Sequence, residues 1–341
     1  MSCQCFIIPT NVLERFAKDK TLSQEQRKCF ADAAQFEKHW RQVRTAHGKL
    51  SAAAGAILPS GIQVAAPPAV TVADCNHGTT LPGTPVPAST ADATAKRTFV
   101  ETRAVADFYQ NVFGRNSVDN AGKTLMSSIH FSVKYNNAFW NGTQMTYGDG
   151  DGNIFIDFTK ANDVIGHELT HGVTQFSAQL AYANEAGGLN ESISDVFGSM
   201  FRQWRANQNV TQADWLIGKE IMGPGAVAKG YTCLRDMANP AAKHCLAPQP
   251  TNYSQYKNGM DPHYSSGIPN FAFYKAAKAI GGKSWEKAGK IWYAALTDFA
   301  PRPNMKMKAF ANRTRTLAKT MFPGDPSVFA AVNSAWIAVG R

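Results

Sequence analysis

The chain has no CxxC pair, no long apolar run and no dense block of lysine and arginine. Each absence removes a class of protein. A membrane-spanning helix needs about 20 consecutive apolar residues, and no stretch comes close, so no membrane partner is expected. The six cysteines are Cys3, Cys5, Cys29, Cys75, Cys233 and Cys245. Without a CxxC pair a structural zinc ribbon is not expected. The net charge is +10, but the basic residues are scattered and match no nucleic-acid motif, so nucleic acid is not an expected partner. The opening residues MSCQCFIIPTNVLERFAKDK lack a basic leader and a long apolar segment ahead of a small-residue cleavage site. A cleavable signal peptide is therefore not expected. The expected location is the cytoplasm, or outside the cell by a route that needs no signal peptide. Reduced thiols are the default there, although Cys233 and Cys245 could pair.

What is present is the balance of a globular protein with a core. Hydrophobic residues make up 44% and charged residues 18% of 341, enough chain for two domains. Residues 1–50 are polar and rich in helix formers. Phe30, Ala33, Ala34, Glu37, Trp40 and Arg41 fall at helical spacing, giving a face that can dock. The segment is too small to be a stable domain alone. Residues 51–97 carry SAAAGA, APPA and LPGTPVPAST, the composition of linker and turns. A helix is expected near 100–113 and strands at 128–135, 143–147 and 154–158; after Ala161 the chain reads as mostly helical. Strands first and helices later make the fold class α+β.

The chemistry concentrates in HELTH, His167-Glu168-Leu169-Thr170-His171. Asn162 or Asp163 can cap a helix through this segment. Histidines four apart project from one helical face and can hold one Zn²⁺. Glu168 then stands beside the metal, placed to take a proton from a bound water. Taken alone, the motif is also compatible with two half-buried histidines on an amphipathic helix. The surroundings favour the metal. Glu191 follows in GGLNESISD, on an expected helix over 186–202, with Asp195 one turn further along the same face. Glu191 can complete a His₂Glu set with one open position. Asp195 can accept the free ring N–H of a ligating histidine. GDGDGN at 148–153 tempts a calcium reading, but a loop starting at Asp149 has Lys160 where the twelfth-position glutamate belongs, so it reads as a turn.

With Glu191 in NESISD, NNAFWNGTQMTYGDGDG at 136–152 and HYSSG at 263–267, the chain resembles the thermolysin family of zinc metallopeptidases over most of 70–341. The resemblance implies a zinc endopeptidase acting on peptides and proteins, on the amino side of bulky hydrophobic residues. It implies a β-rich N-terminal lobe over 70–184, a helical C-terminal lobe over 185–341, and the zinc helix between them. It also implies roles for matching positions. Tyr182 and His263 would steady the oxyanion, with Asp261 orienting His263. Asn137 and the backbone of Ala138 would align an extended substrate. Arg235 would contact a substrate carbonyl. Phe155, Phe158, Val164, Ile217, Ile221 and Leu234 would line an apolar pocket.

Two departures refine the likeness. Many relatives bind calcium behind the zinc helix; this chain keeps Asp163 and Asp214 but has Arg202 and Lys219 where that cluster has carboxylates. A guanidinium and an ammonium repel Ca²⁺, so no calcium is expected at that site. The front end, CFIIPTNVLERFA at 5–17, is similar to the protealysin-like subgroup with its short propeptide, although Pro9 is followed by Thr10 rather than a second proline. An extended apolar segment, Phe6-Ile7-Ile8-Pro9, suits a cleft made for such peptides. Residues 1–50 are thus expected to inhibit in cis, with the helical part about 22–46 docked beside the plug. Removal is expected within 48–62, with Leu50, Ile57 or Leu58 just after the cut bond. Cys3 or Cys5 could instead bind the zinc directly, and a dedicated protein inhibitor is a further possible partner.

Overall fold

The computed structural model describes residues 5–47, 66–298 and 300–341, with side chains omitted for 40–47. The expected linker and processing stretch falls almost entirely outside the described residues, as does Cys3.

The chain opens with a short strand, β1 (Cys5–Phe6), then helices α1 (Thr10–Ala17) and α2 (Gln24–His47). The lobe that follows holds β2 (Val70–Asp74), β3 (Thr84–Val86), α3 (Ala93–Phe113), β4 (Leu125–Ile129), β5 (Ala138–Trp140), β6 (Met145–Tyr147) and α4 (Asn162–Gln175). Next come α5 (Asn184–Arg205), β7 (Leu216–Ile217), α6 (Pro224–Ala228) and β8 (Arg235–Asp236). The remainder is helical: α7 (Pro262–Ser265), α8 (Gly267–Ile280), α9 (Ala288–Thr297), α10 (Met307–Met321) and α11 (Pro326–Ala338). The α+β expectation holds, with a mixed sheet in front and a helical lobe behind.

The main sheet has the order β1-β5-β6-β4-β2-β3. Its outer strand on one side is β1, which pairs antiparallel with β5 in the register Cys5 with Trp140 and Phe6 with Phe139. The front segment is therefore part of the sheet. Several expected strands are corrected. The run at 154–158 forms one isolated bridge, Phe155 to Met222, rather than a strand. Its backbone is drawn into a turn, where Asp151 Oδ1 accepts from the amides of Asn153, Ile154 and Phe155. The GDGDGN turn reading thus stands, and Gly150 and Gly152 supply its left-handed φ values of 70° and 80°. The strand expected at 128–135 lies at 125–129, and the NNAFW segment, expected to offer an edge to an extended peptide, forms β5.

The zinc helix α4 begins without a side-chain cap, because Ala161 occupies the cap position. Asp163 lies inside the first turn instead, where a carboxylate complements the helix dipole, and Gly218 donates its amide to Asp163 Oδ2 at 2.8 Å. Behind α4 lies α5, buried along most of its length. Gly166 and Gly198 let these helices approach closely. A methyl group at Gly198 would sit 2.5 Å from the Asp163 carbonyl oxygen, and one at Gly166 would sit 3.1 Å from Gly198 Cα.

Arg202 and Lys219 stand in a set of ion pairs behind the zinc helix. Arg202 stands 2.7 Å from Glu220, 3.1 Å from Asp214 and 3.9 Å from Asp163; Lys219 stands 3.3 Å from Asp214. Burial pushes the Asp163 carboxyl up to about 6, against the pull of Arg202. Its ionisation therefore costs stability as pH rises from the unfolded value toward 6, and Arg202 limits that cost.

Two outcomes follow. Gly198→Ala should lower unfolding free energy in urea by about 1–3 kcal/mol through overpacking, with reduced zinc retention. Arg202→Met should destabilise by about 2 kcal/mol at pH 7 and by much less near pH 4, where Asp163 is neutral with or without its partner. Denaturation at both pH values checks this; an equal loss at both would show that Arg202 acts through packing.

Candidate active site

His167 and His171 lie one turn apart on α4, with Nε2 atoms 3.0 Å from each other. Glu191 on α5 faces both, its Oε2 at 3.5 Å from His167 Nε2 and its Oε1 at 3.5 Å from His171 Nε2. All three are fully buried. Both Nδ1 atoms are engaged from behind. His167 Nδ1 meets Asp195 Oδ1 at 2.9 Å, and His171 Nδ1 meets Asn190 Oδ1 at 2.9 Å and Ser194 Oγ at 3.0 Å. This leaves each Nε2 lone pair to face inward. Neither Glu191 oxygen meets a hydrogen-bond donor among the described residues, although both are buried. A buried carboxylate without a donor is costly. Nitrogens on one tetrahedral zinc stand about 3.3 Å apart, so the donor set fits Zn²⁺.

Glu168 points to the same space from the adjacent position on α4. Burial pushes its carboxyl up to about 8, with His167 opposing and Glu191 reinforcing the rise. A divalent cation alongside would lower it.

Across the cleft, His263 stands at the start of the C-terminal lobe on α7. Its Nδ1 is 2.7 Å from Asp261 Oδ1 and its Nε2 is 3.2 Å from Tyr182 Oη. Its Nε2 is 3.8 Å from Glu191 Oε2. The structure thus brings His167, Glu168, His171, Glu191, Asp195, Tyr182, Asp261 and His263 together.

The cleft is filled by the chain's own front end. Phe6, Ile7 and Ile8 are buried. The Phe6 carbonyl accepts from His263 Nε2. Ile7 N donates to the Ala138 carbonyl at 3.1 Å, and the Ile7 carbonyl accepts from Arg235 Nη1 at 3.0 Å. Asn137 pairs with both sides of Ile8, accepting from its amide at 3.0 Å and donating to its carbonyl at 3.2 Å. Pro9 opens α1 from the cap position. Cys5, also buried, brings its sulfur within 4.8 Å of the ligand atoms of His171 and Glu191. It is disulfide-bonded in this structure.

The apolar positions divide. Leu234 donates its amide to Ile217, and the Leu234 and Ile221 side chains both lie beside Gly218, so Ile217, Ile221 and Leu234 are neighbours. Val164 is buried in the first turn of α4. Phe158 packs on Phe155 at 5.5 Å, but the Phe155 ring also meets Phe16 and Phe30 of the docked helices, at 6.4 and 6.1 Å. Cys233 and Cys245 stand as thiols with their sulfurs 3.8 Å apart.

Sequence reasoning missed the second task of Arg235. Its guanidinium clasps Asp195 in two places, Nε to Oδ2 at 2.8 Å and Nη2 to Oδ1 at 2.7 Å. Asn270 adds a third donor at 2.9 Å. Burial alone would raise the Asp195 carboxyl, but Arg235 and His167 outweigh it and hold it down to about 2. Asn190 and Ser194 were legible in principle, being four apart on the helix that carries Glu191. Asn270 carried no local signal.

Known proteins agree with this architecture. Residues 68–175 match the thermolysin metallopeptidase catalytic domain, and residues 178–340 match the thermolysin metallopeptidase alpha-helical domain. An extracellular metalloprotease of Pectobacterium carotovorum subsp. carotovorum is 39% identical over 98% of this chain and 96% of its own length. Protease PrtS of Photorhabdus sp. (strain Az29) is 38% identical over 78% of this chain and 75% of its own. Among solved structures, the precursor of protealysin, a metalloproteinase from Serratia proteamaculans, superposes with a TM-score of 0.83 at 37% identity, covering 98% of this chain and 99% of that one. This chain belongs to the thermolysin family of metallopeptidases, with a protealysin-like relation. It is a metalloprotease whose family catalyses with zinc.

Asp195→Asn should weaken zinc binding by about 10–100-fold, because the carboxylate that orients His167 is lost. Zinc competition with a chromogenic chelator checks this; unchanged affinity would remove Asp195 from the metal's support.

Proposed function

We propose that this chain is the precursor of a zinc endopeptidase that cuts on the amino side of bulky hydrophobic residues and is held inactive by its own residues 1–50. The observation that carries the reading is the register of the plug. Phe6 offers its carbonyl to His263, and Ile7 follows with its side chain buried and its carbonyl on Arg235. A substrate in the same register would place its scissile bond where Phe6–Ile7 lies, with a bulky apolar residue just after it.

The roles follow from placement. His167, His171 and Glu191 would hold the ion. Zinc in that position supplies Lewis acidity, polarising the scissile carbonyl and acidifying water. Glu168 accepts the water's proton and returns it to the leaving amine. Tyr182 and His263 donate to the oxygen of the tetrahedral species, with Asp261 keeping the Nδ1 proton of His263 in place and Nε2 aimed inward. Asn137 and Ala138 hold the substrate as an added strand. Ile217, Ile221, Leu234, Val164 and Phe158 form the apolar wall that sets preference for the residue after the cut.

Latency rests on occupancy. Three buried apolar side chains of the plug contribute about 2 kcal/mol each. Helix α1 adds Arg15, donating to the Leu246 carbonyl at 3.0 Å, and Lys229 reaches back to Asp19 at 2.9 Å. Activation by self-cleavage within 48–62 would release this segment. The Arg202 and Lys219 ion pairs support a helix braced without calcium at that site.

A catalytically silent peptide binder would use the same cleft. The placement of Glu168, Tyr182 and His263 around one point favours catalysis, since capture alone needs none of them.

Purified precursor should lose its first fifty or so residues over time and then hydrolyse casein, with activity abolished by a zinc chelator. Glu168→Ala should remain intact and inert while still binding zinc. Loss of the same segment by the pure variant would show that processing is done by another enzyme. Elemental analysis should find zinc and no stoichiometric calcium.

A further inference from the structure

The plug lies in the cleft in the direction and register of a substrate, so an inhibitor of this kind needs something that keeps its Phe6–Ile7 bond from being cut. Proline does not provide it: Pro9 is three residues past Phe6, and the Phe6–Ile7 bond itself is an ordinary peptide. Both of its carbonyl and amide anchors are in place, with Phe6 on His263 and Ile7 on Ala138 and Arg235. What cleavage would require in addition is a water at the open position of the metal. The Cys5 side chain is fully buried, and its sulfur stands within 4.8 Å of the ligand atoms of His171 and Glu191. The Glu191 oxygens, themselves buried and without a donor among the described residues, face the same point.

We propose that Cys5 is the fourth protein ligand of the catalytic metal in the reduced precursor, and that it converts an open His₂Glu centre into a closed His₂GluCys one. Closed four-ligand sets are those of structural zinc; catalytic sets leave one position for water. While sulfur is there, Glu168 has no water to activate and the Phe6–Ile7 bond is held in the scissile position without being cut; self-cleavage within 48–62 then falls to copies whose sulfur has left the metal. The adjacency in sequence is what makes this work. The residue immediately before Phe6 occupies the metal, so the blocking group and the protected bond cannot separate from one another. Cys5 is disulfide-bonded in this structure. A phosphine or thiol reductant supplies the two electrons that open the bond, two protons give the thiols, and the Cys5 thiol releases its proton as sulfur binds. This inference rests on the zinc-peptidase reading above.

The test uses the full-length precursor, reduced with a water-soluble phosphine and loaded with zinc, beside Cys5→Ala and Cys5→Ser. Zinc X-ray absorption should show a sulfur neighbour at about 2.3 Å in the parent, replaced by nitrogen or oxygen in both variants. Because Cys233 and Cys245 are also thiols, the difference between parent and variants is the readout. Intact-mass measurement should show both variants, but not the parent, acquiring a new N-terminus at Ile7. In that cut water adds to the Phe6 carbonyl carbon, the C–N bond breaks and the Ile7 nitrogen takes a proton. An unchanged sulfur contribution in both variants would overturn the ligand assignment. Variants that carry zinc and water yet stay uncut at Phe6–Ile7 would overturn the blocking role. A parent that takes up no zinc, and shows no chelator-sensitive casein hydrolysis after processing, would overturn the peptidase reading itself.

Discussion

The arrangement depends on one buried carboxylate. Asp195 lies on α5, reaches His167 on α4, is clasped by Arg235 on β8 and receives Asn270 from α8. Four separate pieces of chain meet at two oxygen atoms. An isolated carboxylate at this depth would be severely destabilising, but here each lone-pair direction has a donor, and one donor carries a full charge. The same guanidinium that balances Asp195 also reaches the Ile7 carbonyl. The His167 side chain and the docked front segment thus share a single ion pair, and a displacement of either partner is felt at both. Glycines at the α4–α5 contact make the meeting possible, because any larger residue at Gly198 would meet the α4 backbone before the carboxylate reached the histidine.

Around this node the site is divided between rigid and borrowed parts. The ligand helices are buried along nearly their whole length. The donors proposed for the oxyanion come from the other side of the cleft, Tyr182 just before α5 and His263 on a short helix capped by Asp261. The strand edge at β5 is contributed by the front lobe and is engaged by β1. Catalytic groups therefore sit on packed helices while the substrate's backbone is matched by a sheet edge, so chemistry and recognition have different structural foundations.

Much of the centre was legible before the fold. HELTH places its two histidines by helical period, and Glu191 with Asp195 repeats the logic on a second helix. What the local pattern could not provide was the partner of each group across the fold. Arg235 read as a substrate contact, and its clasp on Asp195 depends on how β8 crosses behind α5. Asn270 is a polar residue on a largely apolar helix and gives no local hint of its neighbour. Phe155 read as pocket wall; its ring turns toward Phe16 and Phe30 because helices α1 and α2 cover that side. The strand expected at 154–158 failed for a similar reason. Its run of apolar residues is real, but Asp151 captures the amides of Asn153, Ile154 and Phe155 in a turn. The joining of the front segment to the sheet lay beyond periodicity, since β1 is only two residues long.

That short strand has a consequence for the life of the molecule outside the cleft. An unpaired sheet edge is a template for other chains, and proteins commonly cover or blunt such edges. Here β1 occupies the β5 edge, so that side is sealed. Were the proposed removal of the front segment to occur, the same row of amides that would receive an extended peptide would also be open to unfolded or nicked copies of the chain. Colloidal behaviour and peptide capture would then be two aspects of one sheet edge, both suppressed while β1 is in place.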